Sequence, residues 1–197
     1  MSGRVWADGL VAGVGAHRTA PIDLTVDGSG IVAIVGPSGV GKTTILRTLS
    51  GLLEPVAGRV GFEPEPPTLC FQQAGLLRWR SALANVTFGL GRRPRRADVD
   101  RARSLLAELG LDGLAERRPG ELSGGQQRRV AIARSMLAAR TTLLVDEPFA
   151  HLDDDSGELV VDALRELADA GITIGIAVHD DGDAARIADT IVPVALP

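Results

Sequence analysis

Apolar and polar residues alternate at Ile22, Asp23, Leu24, Thr25 and Val26, the two-residue period of a strand with one buried face. The turn Asp27-Gly28-Ser29-Gly30 follows, and the unbroken apolar run Ile31 to Val35 then reads as a strand buried on both sides. Beyond Gly36-Pro37-Ser38-Gly39-Val40-Gly41 a helix is predicted from Lys42 to about Leu52, closed by Glu54-Pro55. A short strand pair, Arg59 to Phe62 and Thr68 to Phe71, is predicted around the Pro-rich turn Glu63 to Pro67. From Leu77 to about Ala115 the pattern is helical, interrupted at Gly89 to Pro94, with an apolar stripe at Leu105, Leu106 and Leu109. Ser123 to Ala139 reads as a helix, Thr142 to Val145 as a strand ending on Asp146-Glu147, and Ser156 to Ala170 as a helix stopped by Gly171. Ile172 to Val178 is a strand ending on His179-Asp180, Asp183 to Asp189 a helical turn or two, and Ile191 to Val194 a last strand.

Strands alternating with helices predict an α/β fold around a mostly parallel sheet. One domain is expected over 1–197, its core formed by about 1–72 and 126–197, with a helical subdomain inserted at about 73–125.

Composition narrows this picture. The 197 residues are 45% hydrophobic and 23% charged, an ordinary globular balance that excludes disordered, collagen-like and coiled-coil classes. The net charge of −4 argues against sequence-independent nucleic-acid binding. The single cysteine, Cys70, forms no intrachain disulfide. No secretory signal is expected from the first twenty residues, and the longest late apolar stretch, Ile172 to Val178, is far short of the ~20 residues that span a bilayer. The basic run Arg92, Arg93, Arg95, Arg96, Arg101 and Arg103 is interleaved with Asp98 and Asp100, as on a solvated face. Of the 21 basic residues, 20 are Arg and one is Lys42, so lysine at that position needs a reason.

The reason lies in its neighbours. Gly36 to Thr43 fits G-x-x-x-x-G-K-[ST] at every fixed position, between a buried strand and a helix. Glycines let backbone N–H groups turn inward on one anion, and the helix adds its positive end. A cation in the first turn opposes the helix dipole by about 0.3–1 kcal/mol unless an anion sits there. A compact ammonium suits the bridge between β- and γ-phosphates better than a planar guanidinium does. Thr43 is placed to offer its hydroxyl to Mg²⁺, while Thr44 and Ser38 are further phosphate candidates. The strand Leu143-Leu144-Val145 delivers Asp146, a candidate to hold the magnesium through water, and Glu147, a candidate general base. Leu122-Ser123-Gly124-Gly125-Gln126 opens a helix with an S-x-x-Q capping box, but a cap does not require Gly124 and Gly125. Exposed amides beside a serine hydroxyl make a second anion site, which faces another molecule if both serve one γ-phosphate.

The phosphate loop, LSGGQ and LLVDEP in this order resemble the ATP-binding subunit of ABC transporters, over essentially the whole chain. The resemblance implies a P-loop NTPase core with a small antiparallel β-subdomain and an inserted helical subdomain. It implies ATP and Mg²⁺ as cofactors, and a head-to-tail homodimer in which Ser123 and Gly125 of one subunit close over ATP held by Lys42 of the other. Gln72 is similar to the Q-loop glutamine that touches Mg²⁺ and senses the membrane subunit. Asp153 resembles the D-loop aspartate, and His179 the switch histidine that contacts the γ-phosphate. Gly75 to Val86, with Trp79, resembles the "LLPW…ENV" stretch of importers for nitrate, sulfonates, taurine and, less closely, thiamine, which faces the membrane subunit's coupling helix. Trp79 as ordinary core is the alternative.

The sequence departs from the family's pattern in three places. The adenine-stacking aromatic expected near Val11 to Gly15 is missing, and His17 or Arg18 is left to replace it. Only 30 positions separate Lys42 from Gln72, which implies a trimmed β-subdomain. No C-terminal regulatory domain is expected. The reading is an importer-type ATPase subunit, peripheral on the cytoplasmic face of the membrane, with separate permease subunits and a substrate-binding protein as partners. The alternative is a soluble ABC-type ATPase with a regulatory or assembly role.

Overall fold

The computed structural model describes residues 3–28 and 30–195, so Ser29 of the predicted turn lies outside the described residues. In chain order the elements are β1 (Arg4–Val11), β2 (Gly13–Val14), β3 (His17–Arg18), β4 (Ile22–Asp27), β5 (Ile31–Val35), α1 (Lys42–Leu49), β6 (Ala57–Glu63), β7 (Thr68–Cys70) and α2 (Ala82–Phe88). They continue with α3 (Arg96–Glu108), a 3-10 turn at Pro119–Glu121, α4 (Gly124–Ala138), β8 (Thr142–Asp146), α5 (Asp154–Asp169), β9 (Thr173–Val178), α6 (Asp181–Ile187) and β10 (Thr190–Pro193).

Five parallel strands in the order β10-β5-β9-β8-β7 form the central sheet. Every residue of β5, β8 and β9 is buried, as expected where both faces are covered. Strands β4, β1 and β6 form a separate antiparallel sheet. Its buried residues, including Val5, Leu24 and Val26, pack with Ile34, Ile45 and Leu144 into one apolar cluster with α1. The opposite face of the parallel sheet joins the inward residues of α2 to α6 in a second cluster built on Ile31, Leu106, Ile132, Leu143 and Ile176.

The structure corrects the predicted pairing of residues 59–62 with 68–71. β6 pairs antiparallel with β1, whereas β7 pairs parallel with β8. Trp6 decides the first choice, because its ring lies over Gly61, where a Cβ would collide with it. The second follows from Cys70, which is buried at the sheet edge and opposite Val145. Two stretches predicted as helical are not. Residues 77–81 wrap around Asn85, whose amide accepts from Leu77 N (2.7 Å) and donates to Leu77 O, Arg80 O and Ser81 O, so α2 starts only after its N-cap Ser81. Helix α3 stops at Glu108 because Gly110 takes a left-handed φ of +65°. The arginine run is partly neutralised by local ion pairs, such as Arg92–Asp98 (2.7 Å) and Arg103–Glu116 (2.9 Å). The Arg92 guanidinium and the Arg95 N–H hold the Asp98 carboxyl down to about 2. Among the described residues, no helix is long and apolar enough to cross a membrane.

Candidate active site

The loop Gly36 to Gly41 leaves the carboxyl end of β5 and enters α1. Gly41 is the N-cap with φ +106°, a region open to glycine, and a Cβ there would also strike Thr19 Cγ2 at 2.5 Å. No side chain caps α1 and no acid sits in its first turn. Its opening amides therefore have neither an intrahelical acceptor nor a side-chain one. Lys42 is 5% exposed, and its Nζ donates to Gly36 O (2.6 Å) and Pro37 O (3.1 Å). Burial pushes the amine below its ordinary pKa, against the raising pull of Glu147 and Asp146.

Asp146 ends β8, buried beside that lysine. Thr43 Oγ1 donates to its Oδ2 (2.7 Å), while Oδ1 is buried with no hydrogen-bond partner. Burial raises the Asp146 carboxyl's pKa, and Glu147 adds to the effect. Glu147 follows with φ +50°, a left-handed conformation that costs a non-glycine residue about 1–3 kcal/mol and is characteristic of functional sites. Gln72, just past β7, donates from Nε2 to Glu147 Oε2 at 2.7 Å.

A cleft of about 760 Å³ runs from the loop to the β2–β3 hairpin, lined by Ser38 to Thr44, Gln72 and Glu147 at one end and by Gly13, Val14, His17, Arg18 and Thr19 at the other. Val14 is half-exposed there, and no Phe, Trp or Tyr lines the cleft. A smaller cavity of about 220 Å³ adjoins it, shares Glu147, and adds His179, His151 and Asp183. His179 Nε2 lies 2.8 Å from Asp180 Oδ2, and Asp180 Oδ1 accepts from Asp183 N to cap α6. The structure thus brings Gly36 to Thr44, Gln72, Asp146, Glu147 and His179 to one end of the parallel sheet.

Ser123, Gly124, Gly125, Gln126 and Asp153 line neither cavity. Ser123 Oγ accepts from Gln126 N (3.2 Å), and Gln126 Oε1 accepts from Ser123 N (2.8 Å), so the capping box of α4 is complete. A Cβ on Gly125 would stand 3.0 Å from His151 O, which puts this segment against the loop before Asp153. Asp153 Oδ1 accepts from Ser156 N (2.8 Å) as the N-cap of α5. Trp79 is 71% exposed, which excludes its core alternative.

One residue of this region is not legible as functional in the sequence. Arg128 looks like part of the polar run Gln126 to Arg129, yet it is 3% exposed and reaches the backbone on both sides of the Gln72–Glu147 pair. Its only signal is position, one helical turn before the apolar Ile132.

Comparison with known proteins decides the family. The model of the ABC transporter family matches residues 19–150, two thirds of the chain. The chain belongs to the ABC transporter family. Among relatives of this ABC chain, the "Sulfate/thiosulfate import ATP-binding protein CysA" of Methylococcus capsulatus is 39% identical over 188 residues, 87% of this chain and 54% of that protein. The "Aliphatic sulfonates import ATP-binding protein SsuB 2" of Rhizobium johnstonii is 41% identical over 172 residues, 86% of this chain and 68% of that one. The chain therefore spans about half the length of the sulfate relative. Among solved structures, the dimeric post-hydrolysis state of the ATP-binding cassette MJ0796, bound to ADP and Pi, superimposes with a TM-score of 0.85 at 28% identity, covering 96% of this chain and 94% of that one.

Proposed function

We propose that this chain is the ATP-binding and ATP-hydrolysing subunit of a multi-subunit ABC importer of a small solute. One observation carries the reading. An uncapped helix opens on the chain's solitary lysine, 5% exposed, beside a buried carboxylate with one oxygen bare. Such a donor set fits a magnesium polyphosphate: amides and an ammonium for the anion, Thr43 Oγ1 and Asp146 for the cation. Magnesium, when bound there, would supply neutralisation of the charge on the transferred phosphate.

The chain's own groups supply the rest. The amides of Ser38 to Thr44 and Lys42 hold the β- and γ-phosphates as charge develops. Glu147 orients and deprotonates the attacking water, and Gln72, hydrogen-bonded to it, holds that carboxylate in place and would help to hold the cation. His179 reaches the γ-phosphate from the adjoining cavity. At the far end of the cleft, Arg18 and Val14 take the base in place of an aromatic ring. The Arg18 guanidinium is held in place by Gly15 O (2.7 Å) and His17 O (2.8 Å), and a planar guanidinium can stack on a base.

Ser123, Gly124, Gly125 and Gln126, together with Asp153, serve the second copy in a head-to-tail dimer, an assembly supported by the dimeric cassette above. Residues 73–125 act as the helical subdomain between core segments 1–72 and 126–197. The exposed Trp79, beside Leu76 and Arg78, docks a separate membrane-spanning permease and holds the chain peripherally on the cytoplasmic face, with a substrate-binding protein completing the importer. Sulfur oxyanions and sulfonates, the solutes in the names of the two relatives, are the solute class proposed.

Glu147→Gln tests the core of this. The variant is expected to bind ATP as wild type does, to lose about 10²–10³-fold in hydrolysis, and to accumulate as an ATP-bound dimer in size-exclusion chromatography. Wild-type turnover in the variant removes Glu147 from its role.

A further inference from the structure

The buried guanidinium of Arg128 has no counterpart in the mechanism above. Its Nη1 donates to Phe71 O (2.5 Å) and Gln72 O (3.2 Å), and its Nη2 to Asp146 O (2.5 Å) and Glu147 O (3.0 Å). No carboxylate touches it among the described residues, although its charge pulls on the nearby Asp146 carboxyl, and its Nε has no partner. A buried cation with no carboxylate in contact is costly unless its donors meet acceptors, and here four carbonyls take that part.

Those carbonyls belong to two separate segments, one just past β7 and the other at the end of β8. One carries Gln72 and the other carries Glu147, whose side chains meet at 2.7 Å. Glu147 is also held at φ +50°, a conformation that persists only where its surroundings over-determine it. A flat, five-donor fork can bridge two backbones at once, whereas an ammonium is a point donor.

We propose that Arg128 is a positioning residue for hydrolysis: its guanidinium locks the Gln72 and Glu147 backbones together and ties both to α4. Ser123, the N-cap of α4, lies five residues earlier, about 7.5 Å along the helix axis. The fork therefore links the helix that Ser123 opens to the acid that orients water in the same chain. The inference rests on the nucleotide-hydrolase reading, and its test separates the two.

The experiment uses the full chain with Arg128→Gln and Arg128→Lys, the latter retaining the charge if the former folds poorly. Amide hydrogen exchange in nucleotide-free protein is the readout that needs no activity. Peptides covering 71–74 and 146–150 are expected to exchange at least about tenfold faster in both variants, while β5 and β9 stay protected. In hydrolysis assays, kcat is expected to fall about 10–100-fold with ATP affinity within about threefold of wild type, Lys giving the milder loss. Gln72→Ala is expected to add little to Arg128→Gln, since both act on Glu147. Unchanged exchange in those peptides, or losses from Gln72→Ala and Arg128→Gln that multiply, overturns the proposal. Wild-type protein that binds no nucleotide, with the exchange result intact, overturns the nucleotide reading alone.

Discussion

Helices α1 and α4 both start beside glycines, and they start in opposite ways. Helix α4 satisfies itself: Ser123 and Gln126 exchange reciprocal hydrogen bonds, and an arginine one turn on ties the helix to its neighbours. Helix α1 has no side-chain cap and no acid in its first turn, opens on a buried cation, and abuts a buried carboxylate with a bare oxygen. Each of these features is unfavourable in the isolated chain. A pole that folding leaves dissatisfied is where a ligand contributes most. A pole already satisfied can wait for another molecule without weakening the fold.

Three substitutions sharpen this contrast. Lys42→Met has the largest effect, because it removes the ammonium and keeps the aliphatic stem. ATP affinity is expected to fall at least about 100-fold by calorimetry, while the nucleotide-free protein becomes more stable by about 0.3–1 kcal/mol in urea melts. A destabilised variant that still binds ATP breaks the contrast. Ser123→Ala is expected to act with the opposite sign, costing about 1 kcal/mol of stability and leaving ATP binding by the single subunit unchanged.

Asp146→Asn has the smallest expected effect on the fold and depends on pH. Burial raises the folded-state pKa of Asp146 above its unfolded value. Below the unfolded value the carboxyl is neutral in both states, so the wild type and the Asn variant are equally stable. As pH rises through the unfolded and then the folded value, wild type loses the stability that protonation gave it and the variant does not. The variant's advantage should therefore grow with pH and level off above the folded value, with magnesium-dependent ATP binding lost throughout. Urea melts from acid to neutral pH measure it, and an advantage that shrinks with pH contradicts the assignment.

Much of this was legible in the sequence because local rules govern it. The buried strand Ile31 to Val35, the glycine loop and the isolated Lys42 specify the phosphate pole within a dozen residues. The strand ending in Asp146-Glu147 is likewise a local pattern, and its closeness to Thr43 follows from parallel topology. What escaped depends on distant packing. The partner of residues 57–63 is set by the Trp6 ring over Gly61, and the non-helical turn at 77–81 by the Asn85 amide. Arg128 reads as surface because its acceptors are backbone carbonyls on two other segments of the chain, which leave no mark in residue type.

The most direct measurement is calorimetric titration of the purified chain with ATP, with and without magnesium. Saturable, magnesium-dependent binding of one nucleotide per chain, abolished by Lys42→Met, is the expected result. Absence of saturable binding to any purine triphosphate, with magnesium present and the chain folded, contradicts the assignment of the α1 pole.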